Sequence, residues 1–128
     1  MKKAAGPNVL YPELAYQIME IMFEVHNQLG PGFSEEIYER AVVIELKKGN
    51  IPFEQQKTIS MLYKDELVGI YRLDLVIDGK IILELKAVSA SNGLFRQHLL
   101  SYLKAVGLRL GILINFGARS VESVRIAN

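Results

Sequence analysis

The stretch Leu73-Asp74-Leu75-Val76-Ile77-Asp78-Gly79-Lys80-Ile81-Ile82-Leu83-Glu84-Leu85-Lys86-Ala87-Val88 decides how this chain is read. Two aliphatic runs flank Asp78-Gly79, a pair that commonly reverses a chain, so the stretch predicts two antiparallel strands. Each run holds charge where the pattern wants none: Asp74 in the first, Glu84 and Lys86 in the second. On a two-faced sheet, Glu84 and Lys86 alone would pass as the solvated side. Their neighbours weaken that reading, because alternation puts Ile82 on the face of Glu84 and Lys86, and Val76 on that of Asp74. Charges on a partly apolar face are poorly solvated, and two carboxylates meeting there repel unless a cation joins them.

Glu84 and Lys86 are two apart and point the same way. Asp74 faces Glu84 only if paired residue numbers sum to 158, which needs an odd-length turn or a bulge. A two-residue Asp78-Gly79 turn would put them on opposite faces. Convergence of the carboxylates therefore predicts an irregularity at the turn or along one strand, a feature common beside active sites. Once converged, their hard oxygens suit Mg²⁺ or Mn²⁺, which keep several waters and bind phosphate oxygens. Such an ion acidifies its water and neutralises charge developing on a phosphate. Lys86 would position that water or stabilise the transition state.

Working outward, period-two segments at 53–59, 61–63 and 67–77 read as strands, with Lys64-Asp65-Glu66 as a reversal, and another strand spans 81–88. Upstream, Leu14, Ile18, Ile21, Met22, Val25 and Leu29 recur at helical spacing from Pro12 until Gly30-Pro31-Gly32 stops them. A second helix opens at Ser34, a candidate cap, with Glu35 and Glu36 in its first turn and Ile37, Ala41, Val43 and Ile44 as its buried stripe. Gly49-Asn50 and Pro52 end it. Downstream, a break at Asn92-Gly93 precedes a helix carrying Leu94, Leu99, Leu100, Leu103 and Val106, closed by Gly107. Strands follow at 109–115 and 121–126. The order helix, helix, antiparallel strands, helix, strand, strand predicts an α/β fold of the α+β kind, a mixed sheet with helices packed on it.

The 128 residues carry 15 basic and 14 acidic side chains, a net charge of +1, and no cysteine. One domain over 12–128 is expected, behind a loose tail at 1–11. A disulfide framework and Cys-ligated metal sites are excluded. No targeting signal or membrane span is legible, so a cytoplasmic location is the default expectation. The near-neutral total excludes bulk polycation binding but conceals a division. Residues 1–86 hold ten basic and thirteen acidic side chains, whereas 87–128 hold five basic ones, Arg96, Lys104, Arg109, Arg119 and Arg125, against Glu122 alone. A nucleic-acid substrate is compatible with that division.

Asp74 followed by Glu84-Leu85-Lys86 on the next strand resembles the D...ExK signature of the PD-(D/E)xK nuclease superfamily. Gly32-Phe33-Ser34-Glu35-Glu36-Ile37-Tyr38 matches the pattern naming the GxxExxY family, a branch of that superfamily. The likeness extends over roughly residues 14–117, through His26 to Gly32, Ile51 to Glu54 and Tyr102 to Phe116. It implies a restriction-endonuclease-like core of helix, three antiparallel strands, helix and strand, here with an extra N-terminal helix. It further implies Asp74, Glu84 and the Leu85 carbonyl as ligands of Mg²⁺ or Mn²⁺, Lys86 as the catalytic lysine, and Glu35 reaching the site from its helix. Glu35 and Tyr38, three apart, share a helix face. Tyr38, His98, Tyr102 and His26 are candidates for substrate positioning; Tyr38 and Tyr102 have a structural alternative as packed aromatics, and His26 as a histidine near a helix end. RecB-like relatives carry Gln four residues before the tyrosine, where this chain has His98, and Gln97 is displaced about a quarter turn or more.

The expected activity is divalent-metal-dependent phosphodiester hydrolysis, on DNA ahead of RNA. The alternatives are a non-catalytic nucleic-acid- or protein-binding module that keeps the nuclease fold, and hydrolysis of a small phosphate ester. Since a small core commonly needs a second subunit to hold both strands of a duplex, a homodimer is a natural expectation, although no segment marks an interface.

Overall fold

A computed structural model describes residues 6, 9–90 and 93–128. Helix α1 (Pro12–Leu29) begins with a proline whose missing N–H costs nothing in a first turn. It ends at Gly30, whose N–H donates to the His26 carbonyl at 2.7 Å. Helix α2 (Glu35–Lys48) follows, then strands β1 (Phe53–Tyr63), β2 (Glu66–Ile77) and β3 (Ile81–Lys86), helix α3 (Gly93–Val106), and strands β4 (Leu110–Asn115) and β5 (Glu122–Ala127). Segments 53–59 and 61–63, read separately in the sequence, form one strand, because Ser60 pairs with Ile70 and continues the ladder. Strand β3 stops at Lys86, two residues short of expectation. Of the expected tail, Leu10 is buried in the core at 7% exposure and Tyr11 packs beside it; residues 1–5, 7 and 8, with Asn92 of the expected break, lie outside the described residues.

The sheet runs β1-β2-β3-β4-β5, antiparallel throughout except for β3 and β4, which run parallel and are connected through α3. Helices α1 and α2 cover one face, over Leu75, Ile77, Ile81, Leu83, Leu85, Leu110, Ile112 and Ile114. Helix α3 covers the other, with Leu99, Tyr102 and Leu103 on Leu73, Val76, Ile82 and Leu113. Strands β3 and β4 are therefore covered on both sides and apolar throughout except at Glu84, Lys86 and Asn115. This mixed α/β sandwich is the expected architecture.

Helix α2 presents a different stripe from the one read in the sequence. Tyr38, Val42, Val43 and Leu46 are buried, while Ile37 and Ile44 are 42% and 54% exposed. The aromatic ring decides the rotation. Tyr38 stacks on Phe116, centroids 4.5 Å apart, and its hydroxyl donates to the Gly30 carbonyl at 2.5 Å, tying the helix to the loop before it. Ser34 sits at the N-cap position with extended backbone, but its hydroxyl makes no capping bond.

The β2–β3 turn has the odd length that carboxylate convergence requires. Ile77 pairs with Ile81, Val76 with Ile82 and Leu75 with Leu83, so Asp78, Gly79 and Lys80 form the loop. Asp78 and Gly79 adopt left-handed φ of 51° and 63°, and the Lys80 N–H closes the turn on the Ile77 carbonyl at 2.9 Å. Strand β2 also departs from alternation: Tyr71, Leu73 and Val76 pack toward α3, whereas Leu75 and Ile77 pack toward α1 and α2. Opposite the irregular point, Gln56 has φ 54° and the β1–β2 ladder skips its pairing with Asp74.

Candidate functional site

Past Leu75 and Leu83 the β2–β3 ladder opens, and side chains take over its hydrogen bonds. The Leu85 N–H donates to Asp74 Oδ2 at 2.8 Å, and the Asp74 N–H donates to Glu84 Oε1 at 3.3 Å. The two carboxyls also act on each other directly, each altering the other's proton affinity. Glu84 is 3% exposed on a central strand, an expensive place for charge. Burial, followed by the charge of Asp74, pushes its carboxyl up to about 8. Burial also raises Asp74, with Glu39 adding repulsion while the Leu85 N–H and the Lys86 charge oppose the rise. Both carboxyls are thus pushed toward their protonated forms, and they titrate as a coupled pair rather than as two independent acids. A cation between two such acids can take the place of their protons.

Lys86 leaves the edge of this pair open. Its ammonium stands 4.7 Å from the centroid of the Phe95 ring, and among the described residues it joins no ion pair within 4.0 Å. Its charge nonetheless favours the ionised forms of Asp74, Glu84 and Glu35. Glu35 is exposed at the first turn of α2, and its carboxyl is raised by partial desolvation, then lowered by Lys86 and raised by Asp74 and Glu39. Among the described residues, no group of three or more His, Cys, Asp or Glu side chains stands close enough to hold an ion. The close donor set is two carboxylates, sufficient for a cation such as Mg²⁺ that keeps most of its waters.

The site has two sides. Toward α2, Asp74 lines an open groove of about 490 Å³ with Glu35, Glu39, Gln55, Gln56 and Arg72. Toward α3, Glu84 and Lys86 line a small pocket with Tyr71, Phe95, His98 and Tyr102. His98 is exposed there, its ring 6.3 Å from that of Tyr102. Tyr102 is buried against Tyr71, with ring centroids 3.9 Å apart, and burial raises both phenols.

Two candidates are held elsewhere. Tyr38 is fully buried, and its hydroxyl is committed to Gly30 and to the Phe33 N–H. His26 is buried with Nε2 3.0 Å from the Ala118 carbonyl, its ring stacked on Phe116. Both brace the loops at the end of the sheet, with the Tyr38 hydroxyl and His26 Nε2 committed to backbone groups. Arg109 immediately precedes β4, at the opposite end of that strand from Asn115 and away from the Asp74–Glu84 pair.

Several residues escaped the sequence reading. Tyr71 abuts Tyr102, and Glu39 accepts from the Gln55 and Gln56 amides at 2.7 and 2.8 Å, fixing the irregular stretch of β1. Asn115 is 2% exposed with every polar atom engaged: Oδ1 accepts from Val88 and Gly117, and Nδ2 donates to the Val88 carbonyl and Glu122. It clamps the segment leaving Lys86 to the β4–β5 turn. Gly117 completes the clamp, since a Cβ there would lie 2.3 Å from the Val88 carbonyl oxygen. No spacing rule marks any of these residues.

A mixed sheet between helices, with a half-buried Asp beside a buried Glu and a lysine where two strands separate, defines the class of PD-(D/E)xK-type nuclease folds. The PD-(D/E)XK nuclease superfamily model matches residues 12–126, and the chain belongs to that superfamily. Among solved structures it is similar to SSO0001, at 19% identity and TM-score 0.55, covering 94% of this chain and 59% of that one. It is also similar to an alkaline exonuclease from Laribacter hongkongensis, at 9% identity and TM-score 0.54, covering all of this chain and 72% of that one. These likenesses show the fold, and the chain spans well under two thirds of SSO0001. No curated protein sequence matches.

Proposed function

We propose that the chain is a divalent-metal-dependent nuclease of the GxxExxY branch, hydrolysing phosphodiesters of DNA ahead of RNA. The observation that carries this reading is the pairing of half-buried Asp74 with buried Glu84 across an opened ladder, where their carboxyls take the place of backbone hydrogen-bond partners. Such a pair is costly to keep in a fold, and a hard divalent cation relieves the cost. The donor chemistry therefore fits Mg²⁺ or Mn²⁺, held by the Asp74 and Glu84 carboxylates with the Leu85 carbonyl. When bound, such an ion supplies an acidified water and charge neutralisation on the phosphate. Lys86, in no ion pair among the described residues, would be placed to orient such a water and to stabilise developing negative charge. Glu35 faces the site from α2 and accepts a hydrogen bond from water on that side. His98 stands where it can donate to a phosphate oxygen, in place of the glutamine of RecB-like relatives.

Two measurements test this. Plasmid, single-stranded DNA and RNA are incubated with Mg²⁺ or Mn²⁺ and either the unaltered protein or Glu84→Ala; cleavage by the first alone is expected. Equal residual activity in both, or none in either, would sink the nuclease reading. Calorimetric titration with Mn²⁺ should show binding that Asp74→Ala abolishes. Metal binding without cleavage of any polymer would favour a binding module, and turnover of a small phosphate ester alone would move the substrate class.

A further inference from the structure

The groove on the α2 side is acidic where an anionic substrate must approach, and its cations are not equivalent. Arg40 is held by Glu36 at 2.6 Å. Arg72 is exposed, lines the groove with Asp74, and among the described residues makes neither an ion pair nor a side-chain hydrogen bond. Strict alternation would set Arg72 and Asp74 on one face of a flat strand; here alternation fails between Leu73 and Leu75, yet both side chains line the same groove. Two residues along a strand span roughly 6.6 Å, comparable to one step between successive backbone phosphates. Gln55 and Gln56 cannot supply a cation, and their amides are engaged by Glu39.

Resting on the nuclease reading and deepening it, we infer that Arg72 is a substrate-binding residue that holds a backbone phosphate of a nucleic-acid strand one step from the phosphate lying over Asp74 and Glu84. A guanidinium suits this role because its fork engages two phosphate oxygens at once, which an ammonium does not. The strand then passes through the groove on the α2 side and leaves past His98 and Tyr102 on the α3 side. The Asp74 and Glu84 carboxyls sit at the crossing point between the two. Among the described residues Arg72 has no partner to release, so its charge is available to the substrate.

The test is fluorescence anisotropy of a labelled single-stranded DNA oligonucleotide in CaCl₂ over a series of salt concentrations. The proteins are the unaltered chain, Arg72→Gln, Arg72→Lys, and Arg109→Gln from the far end of β4. For single strands each phosphate contact contributes about 0.7 to the slope of log affinity against log salt. Arg72→Gln is expected to bind roughly five- to tenfold more weakly at low salt and to lose about 0.7 of slope, uniformly across oligonucleotide sequences. Arg72→Lys should keep the slope and recover only part of the affinity, and Arg109→Gln should bind as the parent does. Unchanged affinity and slope in Arg72→Gln overturn the assignment of Arg72 while leaving the nuclease reading standing. Failure of the unaltered protein to bind any oligonucleotide overturns both. Inorganic phosphate that displaces the oligonucleotide at equal concentration of phosphate groups overturns the assignment to a polymer backbone.

Discussion

Replacing Glu84 by glutamine should make the protein more stable at alkaline pH, and the size of the effect follows from the site. In the folded chain Glu84 keeps its proton up to about pH 8, whereas an unfolded glutamate releases it near 4.5. Between those values the folded state binds more protons than the unfolded one, so unfolding free energy falls as pH rises. One proton over that window is worth on the order of 5 kcal/mol in the limit where Glu84 titrates alone. Asp74 is raised as well and contributes in the same direction, but it is present in both proteins and largely cancels in the comparison. Glutamine keeps the contacts of the protonated acid: its oxygen accepts from the Asp74 N–H, and its amide donates to the Asp74 carboxylate. Glu84→Gln should therefore match the parent within about 1 kcal/mol at pH 5 and exceed it by roughly 3–5 kcal/mol at pH 8.5. Urea denaturation followed by circular dichroism at pH 5, 6, 7 and 8.5 in EDTA measures both curves. Stability curves that stay parallel, or a variant that is weaker at pH 8.5, would refute the raised Glu84 carboxyl. Added Mg²⁺ at pH 8.5 should recover stability in the parent and not in the variant.

Other consequences are simpler to check. Lys86→Met should leave Mn²⁺ affinity within threefold while lowering the cleavage rate by about 10²–10³, measured under single-turnover conditions. Tyr38→Phe should cost about 1–2 kcal/mol in urea through loss of the bond to Gly30, with metal binding unchanged, which separates its bracing role from the chemistry. Asn115→Ala leaves the Val88 and Gly117 N–H groups and the Val88 carbonyl unpaired in the interior, so a loss of roughly 2–4 kcal/mol is expected in the same assay.

Much of the fold was legible because it rests on local rules. Helical spacing placed α1 and α3, and the aliphatic runs around Asp78-Gly79 placed β2 and β3. The demand that paired numbers sum to 158 anticipated the odd-length turn, which Leu75 facing Leu83 satisfies. The stripe of α2 was read in part, with Val43 buried and Ala41 against the core but Ile37 and Ile44 exposed, because periodicity alone allows neighbouring faces. Tyr38 settled the choice through Phe116, which lies 78 residues away and is invisible to any local rule. His26 was ambiguous for the same reason, since its partner is the Ala118 carbonyl.

The sequence by itself determined that Asp74, Glu84 and Lys86 interrupt apolar strands, and hence that something must compensate their burial. Side-chain type and strand alternation are local, and so is that conclusion. Only the tertiary structure decided what surrounds them. Opening the β2–β3 ladder let the Asp74 and Glu84 carboxyls replace backbone partners, and packing of α3 set Phe95 beside Lys86 and Tyr102 beside Tyr71. The position of α2 gave Asp74 its groove, with Arg72 on its wall. Such contacts join residues far apart in the chain, and their energies depend on desolvation, which no single stretch of sequence contains.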